Sequence, residues 1–529
     1  MQKFSRYDLA SFAFLAFLTI FSLARHGYLP QFIDGYYHLS VANGFIQSGG
    51  WVGWDWWSFA PFGRPHLYPP LYHLILVLLQ KLGLSGITAL RISEVAIVPL
   101  FFFVFWFVSR SLLNDRFSFI NLLALSGFFS FYSSVTANVP ASLALIWGFL
   151  SWYWLKKKRV IKSIIFLTLT FYTHSAISWV FWISFLFILA FDQEFRHTAL
   201  KTLLISLALA APFLWHQLRY FRYLDIQVLG EAGFTHFNIF IFLSGLVFLA
   251  FFYRRSLFVL LFLGYLIGSL IVFFRYPYRF FSAQGIVGFT FFASLLWDKV
   301  LNPSQKSPGF KCSIVISAQE GARNFSSWGS TYLKSGYKKV ILALVIIYLL
   351  FFQVTLDLDK EKSNFNIINS TCYNLLSGKC YQLFEFRTFY YPEFYDPLVW
   401  LIRENTAEGD IIFSNIRIAA QIFSALSGRP TSSPMLWEVK AAKDFEYHKY
   451  AKLIIWLKPS PSEKILSQNK IRWEKIYEDN LSCVYLNLDY QPPIKKLKSK
   501  LNFPLLALIF FILLVIHIRD SIFIKKKRD

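Results

Sequence analysis

The 529-residue chain is 56% hydrophobic and 20% aromatic, with a formal charge of +23. So apolar a composition over this length excludes an ordinary soluble globular protein and makes the bilayer the solvent for most of the chain. The charge points to membrane anchoring and away from nucleic acid, because Lys and Arg cluster between apolar runs, as in Lys156-Lys157-Lys158-Arg159 and Lys525-Lys526-Lys527-Arg528.

The first apolar run, 9–24, follows basic residues but precedes no small-residue cleavage site, and it reads as a retained first helix. Runs of about membrane length follow near 87–108, 117–135, 139–155, 161–175, 176–191, 201–215, 237–252, 256–274, 279–297, 339–355 and 501–518, giving about twelve crossings. One further apolar segment, 67–84, decides the topology. A crossing there would put Arg110, Arg116 and the basic run 156–159 outside, against the positive-inside tendency. A helix lying along the membrane surface puts them inside, together with Arg196, Lys201, Arg254, Arg255, the Lys-rich loop 298–338 and the terminal KKKRD. Pro69 and Pro70 suit such a helix, since proline is tolerated in a first turn. The expectation is an integral, multi-pass protein of the plasma (cell) membrane with cytoplasmic N- and C-termini.

This topology sends six pieces outside: the loop 25–86, turns near 136–140 and 173–177, the loop 216–236, the turn 275–279 and the segment 356–500. In the last piece hydropathy drops, and an amphipathic helix near 397–405 is mixed with β-like runs IIFS (411–414), KLIIWL (452–457) and CVYLNL (483–488). The fold class expected is mainly α: a polytopic helical bundle, 1–355, then a small extracytoplasmic α/β domain, 356–500, then a last helix and basic tail, 501–529. No internal repeat of fixed period is visible. Cys372 and Cys380 are close enough in sequence for a local disulfide, Cys312 falls in the cytoplasmic loop, and Cys483 has no obvious partner. Their spacing is not that of a zinc site.

The first external loop concentrates the chemistry. From Phe32 to Leu76 it reads FIDGYYHLSVANGFIQSGGWVGWDWWSFAPFGRPHLYPPLYHLIL and carries Asp34, His38, Asp55, Arg64, His66 and His73. Asp34 follows the first helix by about ten residues, which puts it near the external membrane surface. A carboxylate there suits removing a proton from an acceptor or holding a divalent cation against a phosphate. Tyr36, Tyr37 and the Trp cluster 51–57 suit an interfacial belt, stacking on a sugar ring, or packing on a lipid chain. His174, in YTHSAISW, is expected at the external end of a helix, as a site residue or as a cap. Arg275 and Arg279, in FRYPYRFF, either clamp a lipid phosphate or snorkel at an interface. Glu231 and His236 lie in the loop before the eighth crossing and are further candidates for the cavity.

The pairing of DGYYHL with YPPLYHLIL, behind a first helix, resembles the C-type glycosyltransferase superfamily. That group includes oligosaccharyltransferase catalytic subunits, whose loop looks like D-x-Y-Y-H-L, and protein mannosyltransferases and lipid A aminoarabinose transferases, with H-P-P-L in the same loop. The resemblance implies transfer of a sugar from a polyprenyl-phosphate or polyprenyl-diphosphate carrier to an acceptor on the external face, by direct displacement at the anomeric carbon. Asp34 then stands for the catalytic aspartate, as general base or as ligand of a divalent cation (Mg or Mn). Tyr37, His38, Asp55, His66, Asn138, His174, Arg275 and Arg279 are the residues expected to bind substrate. Expected partners are the polyprenyl-linked donor, membrane lipid and an acceptor that the residues do not identify. Sequon-like triplets at Asn369 and Asn480 do not settle that acceptor.

Two departures stand out. The second external turn, SSVTANVPAS, offers Asn138 where relatives usually carry an acid, and Asn138 is a poor metal ligand. No WWDYG occurs in the external domain, and GWDWWSF (53–59) is in the wrong loop, which favours a monosaccharide-type transferase over a strict oligosaccharyltransferase. The stretch EFYDPLVWLIRENTAEGDIIFSNIRIAAQIFSALSGRPTSS resembles the small external domain of many such transferases, a similarity of structure and not of catalysis. A transporter or lipid flippase is the alternative reading, but it calls for paired broken helices in two related halves with deep charges, and neither is apparent. The missing second acid keeps a non-catalytic relative as a third.

Overall fold

The computed structural model of the chain describes residues 4–30, 32–224, 236–252, 256–301, 335–357, 365–366, 368, 370–377, 395–435, 439–458, 471–492 and 501–502. The helices begin with α1 (Arg6–Ala24), α2 (Ile33–Ser48), α3 (Leu71–Lys81), α4 (Gly86–Leu112), α5 (Asp115–Ser126) and α6 (Phe129–Ala137). Next come α7 (Val139–Lys156), α8 (Val160–Thr173), α9 (Ser175–Phe191), α10 (Arg196–Arg219), α11 (Ile239–Phe252) and α12 (Leu257–Val272). The last are α13 (Pro277–Phe281), α14 (Ile286–Leu301), α15 (Ser335–Phe351), α16 (Thr371–Leu376), α17 (Tyr395–Asn405) and α18 (Arg417–Ser427). Strands are short: β1 (Gly50–Trp51), β2 (Trp54–Asp55), β3 (Arg64–Pro65), β4 (His236–Phe237), β5 (Thr355–Asp357), β6 (Phe365–Asn366), β7 (Ile412–Ser414), β8 (Leu453–Leu457), β9 (Trp473–Glu478), β10 (Ser482–Asn487) and β11 (Leu501–Asn502).

The fold is mainly helical with a small sheet region, as expected, but the count of about twelve crossings is not matched. Among the described residues four helical runs are long and apolar enough to cross a bilayer: α1, α4, α10 and Pro277–Leu301. The α6/α7 pair, bent by 103° at Asn138, makes five if it counts as one span. The shortfall has a physical origin. Hydropathy registers apolar residues, whereas Asn138 and His174 interrupt the backbone, and α8, α9 and α12 run only 14, 17 and 16 residues. At 1.5 Å per residue these fall short of a hydrocarbon core about 30 Å thick. The segment expected along the membrane surface contains α3, whose 11 residues reach about 16 Å, roughly half that thickness. Of the expected last crossing, Leu501 and Asn502 form β11 and the rest lies outside the described residues, as do Glu231, Cys312, Cys380, Asn369, most of the loop 298–338 and the basic tail.

The chain forms two compact units. The first comprises Met1–Ala24, Val95–Leu209 and Val228–Glu385. Here helices close on small residues and are pinned by polar side chains. The Arg110 guanidinium of α4 grips Asp8 of α1 at 2.5 and 2.9 Å, and Arg116 of α5 grips Asp298 of α14 at 2.5 Å. Gly148 of α7 lets the Phe181 ring of α9 lie on the helix backbone, since a Cβ there would stand 2.2 Å from the ring. Small residues at crossings are the usual means of close helix packing where lipid gives no hydrophobic drive between helices. Asn238 donates to the Gln353 side-chain oxygen at 2.7 Å, while the Gln353 amide nitrogen donates to the Leu349 carbonyl at 3.0 Å.

The second unit comprises Arg25–Glu94, Ala210–Gln227 and Phe386–Asp529, so the loop that follows α1 and the C-terminal α/β residues share one core. Its sheet has the order β7-β8-β10-β9, with β7 parallel to β8 and the other neighbours antiparallel. The three β-like runs of the sequence are β7, β8 and β10, and the amphipathic segment is α17. Parallel strands need a crossover, and α18 lies in the one between β7 and β8, with Ala419, Ala420, Ile422 and Phe423 buried. Beyond α18 the chain returns to the edge of β7, where the Ile412 amide donates to the Pro430 carbonyl. Thr431 then pairs with the first loop: its amide donates to the Trp57 carbonyl at 2.8 Å, and the Ala60 amide donates to its carbonyl at 3.0 Å. β1 pairs with β11 in the same unit.

Candidate active site

Helix α2 presents Asp34. It starts after an extended Phe32 and ends at Gly49, whose left-handed φ of 76° lets its amide return to the last turn, a common helix stop. Asp34 is half-buried in the first turn, where a carboxylate is favoured by the positive end of the helix dipole. The next residue, Gly35, has no side chain for a steric reason: a Cβ would stand 2.8 Å from the Glu94 carboxylate oxygen. Glu94, on α4, is buried, and with Asp34 it makes two acids near the start of α2. Sequence reasoning missed Glu94 because it lies inside the apolar run 87–108. The signal was present, since an acid within a spanning run is a functional-site candidate by default.

Three histidines of the loop come together. His38 of α2 and His73 of α3 share a hydrogen bond between Nδ1 and Nε2 at 2.9 Å, and the His66 ring centroid is 5.4 Å from that of His73. Tyr37, Tyr68, Tyr72, Phe45 and Trp57 pack around them, with Phe45 meeting His66 edge to face. Burial pushes the His38 and His66 imidazoles down to about 3, the latter also through Arg64, and burial likewise carries His73 well below 6.5. These rings are neutral at ordinary pH and sit inside the loop's aromatic core.

Acid sensitivity follows from this cluster. The folded state holds the imidazoles neutral, while the unfolded chain takes up a proton near pH 6.5, so their contribution is complete above that pH. For His38 and His66 it is lost as pH falls from 6.5 toward about 3, at about 1.4 kcal/mol per pH unit for each, and His73 acts in the same direction. Thermal unfolding in detergent should therefore be flat from pH 7 to 8 and fall steeply below 6, with the fall reduced in His38→Phe. A midpoint unchanged down to pH 5 would refute it.

Asp55 faces the loop interior. Its carboxylate accepts from Arg64 Nε at 3.0 Å and from the Ser58 amide at 2.9 Å across the β2–β3 hairpin, and both side chains are almost fully enclosed. Arg64 also donates to the Val439 carbonyl at 3.1 Å and lies over the rings of Phe59 and Tyr37. Tyr37, buried between Arg64 and the histidines, belongs to the same packing.

The remaining sequence candidates lie in the first unit. Asn138 caps the N-terminus of α7 by accepting from the Ala141 amide at 3.4 Å. His174 separates α8 from α9 and caps the latter, its Nδ1 accepting from the Ile177 amide at 3.4 Å. Arg275 is exposed, and Arg279 of α13 donates from Nε to the Tyr278 hydroxyl at 2.8 Å. His236 lies in β4, its carbonyl accepting from Ser282.

Among the described residues no three His, Cys, Asp or Glu side chains converge as metal ligands.

Sequence comparison with protein families and with characterised proteins finds no match. Solved structures do match in fold. Over 86% of this chain and 70% of the other, the archaeal oligosaccharyltransferase AglB from Archaeoglobus fulgidus, in complex with an inhibitory peptide and a dolichol-phosphate, superposes with a TM-score of 0.55 at 12% identity. ArnT from Cupriavidus metallidurans bound to undecaprenyl phosphate gives 0.52 at 10% identity, over 91% of this chain and 99% of that one. Its apo state gives 0.52 at 11% identity, over 93% and 99%. The chain thus shares its overall fold with AglB and with ArnT.

Proposed function

We propose that this protein is a membrane glycosyltransferase that moves a sugar from a polyprenyl-phosphate or polyprenyl-diphosphate carrier to an acceptor on the extracytoplasmic face of the cell membrane. The observation that carries the reading is Asp34: within a C-type fold, a half-buried carboxylate stands in the first turn of the helix that follows the first apolar helix. The dolichol-phosphate and undecaprenyl phosphate held by the two matching proteins support a polyprenyl carrier as the donor.

In the reaction, Asp34 takes the proton from the acceptor hydroxyl or amide. The freed nucleophile attacks the anomeric carbon, the bond from that carbon to the carrier's phosphate oxygen breaks, and the carrier leaves as its phosphate or diphosphate anion. Configuration at the anomeric carbon inverts. Arg275 and Arg279 are proposed to receive the carrier's phosphate, and His174 and Asn138 to contact sugar hydroxyls in addition to capping their helices. Tyr37, His38, Asp55 and His66 are proposed to contribute to substrate binding by shaping the loop from within.

The test is to reconstitute the purified protein in liposomes with labelled polyprenyl-phosphate hexoses and polyprenyl-diphosphate sugars, adding lipid and peptide acceptors. The expected result is release of the carrier with the label on an acceptor or on water. Movement of intact donor between leaflets without cleavage would overturn the reading in favour of a flippase.

A further inference from the structure

Asp34 is presented by a helix whose other end is fastened to the C-terminal α/β domain. On three successive turns α2 reaches α18. The Ser40 and Ser424 hydroxyls meet at 3.0 Å, the Asn43 amide donates to the Ala425 carbonyl at 2.8 Å, and the Gln47 amide donates to the Gly428 carbonyl at 2.7 Å. These carbonyls lie at the C-terminal end of α18, where a helix runs out of its own donors. Side chains of α2 therefore complete the end of α18. Trp57 wedges the same seam from the loop: a Cβ on Gly44 would stand 2.1 Å from its ring. Arg429, just past the helix, fixes the turn by donating to the Thr406 hydroxyl and carbonyl at 3.0 and 2.9 Å.

We infer that the α2–α18 seam is the positioning device of the reaction, with Ser40, Asn43, Gln47 and Ser424 as positioning residues that set the direction in which Asp34 points. The inference rests on the proposed role of Asp34. Its force comes from leverage. Gln47 is thirteen residues from Asp34, or roughly 20 Å along the helix. A tilt of about 3° at the seam carries Asp34 by about 1 Å, and a misplacement of that size can cost about 100-fold in rate. The small α/β domain is on this account part of the transfer machinery, although it supplies no reacting group.

The test uses the full-length protein. The double variant Asn43→Leu/Gln47→Leu removes both amide donors and keeps the bulk. It should lose at least tenfold in kcat, with the KM for the donor within about twofold, and α2 should exchange its amide hydrogens faster than in wild type. Adding Ser40→Cys/Ser424→Cys, whose sulfurs would replace hydroxyls already in contact, should restore kcat and exchange protection on oxidation and lose both again on reduction, with wild type unaffected by either treatment. Full activity in the double variant overturns the inference, as does unchanged exchange in α2 or loss of activity on oxidation, which would mean that the seam must open. If wild-type protein cleaves no lipid-linked sugar, the transferase reading falls by itself, and hydrogen exchange still decides whether the seam holds α2.

Discussion

Asp34→Asn should reduce sugar transfer by roughly three orders of magnitude without unfolding the protein. Asparagine has the size of aspartate but cannot take a proton from an acceptor, and a positioned general base contributes about 10²- to 10⁴-fold. The loss should appear in kcat, because the role proposed for this carboxylate is proton transfer and not donor binding. A donor KM within about threefold of wild type is therefore expected. The loss of the carboxylate's interaction with the helix dipole should cost only about 0.3–1 kcal/mol. Asp34→Glu keeps the base but displaces it, and it should fall between wild type and asparagine. Initial rates of carrier release, measured beside thermal unfolding of each variant, separate these outcomes. An asparagine variant retaining a tenth of the wild-type rate would remove Asp34 from the chemistry.

How far such a site could be read from residues alone depends on the range of the interaction involved. Local signals were legible. The uninterrupted run 9–24 became α1, the β-like runs became β7, β8 and β10, and Pro69-Pro70 announced α3. His174 caps α9 through its bond from the Ile177 amide, which does not decide between its two readings. Asn138 was weighed as a stand-in for an acid, whereas what it does visibly is break the backbone between α6 and α7.

Other features were out of reach because they depend on chain closure. Ser40 and Ser424 are 384 residues apart, and nothing in either segment names the other. The core that the loop after α1 shares with the α/β residues depends on such distant pairings. Glu94 is a different kind of omission: the acid was visible, but averaging over an apolar window hid it. Contact with Gly35 identifies it only once the helices are in place.

Arg64→Ala should be the most destabilising single change in the loop, at about 3–5 kcal/mol, because it strands the Asp55 carboxylate in an enclosed site. Domains are commonly stable by about 5–15 kcal/mol in total, so a large share of the variant should be unfolded or aggregated at growth temperature. Lysine is a poor replacement. Arg64 reaches Asp55 and the Val439 carbonyl at once while its planar head covers Phe59 and Tyr37, and an ammonium reproduces neither the fork nor the stacking. The control is Asp55→Asn/Arg64→Met, which leaves no buried charge. Replacing a buried ion pair by uncharged groups of similar bulk is often close to neutral, so the double variant should recover more than half of the loss. Thermal unfolding of purified protein in detergent, with size exclusion to count the aggregated fraction, measures both. If Arg64→Ala stays within 1 kcal/mol of wild type, the pair is not what holds the hairpin; if the double variant is as unstable as the single, the loss comes from packing over Tyr37 and Phe59 and not from the stranded charge.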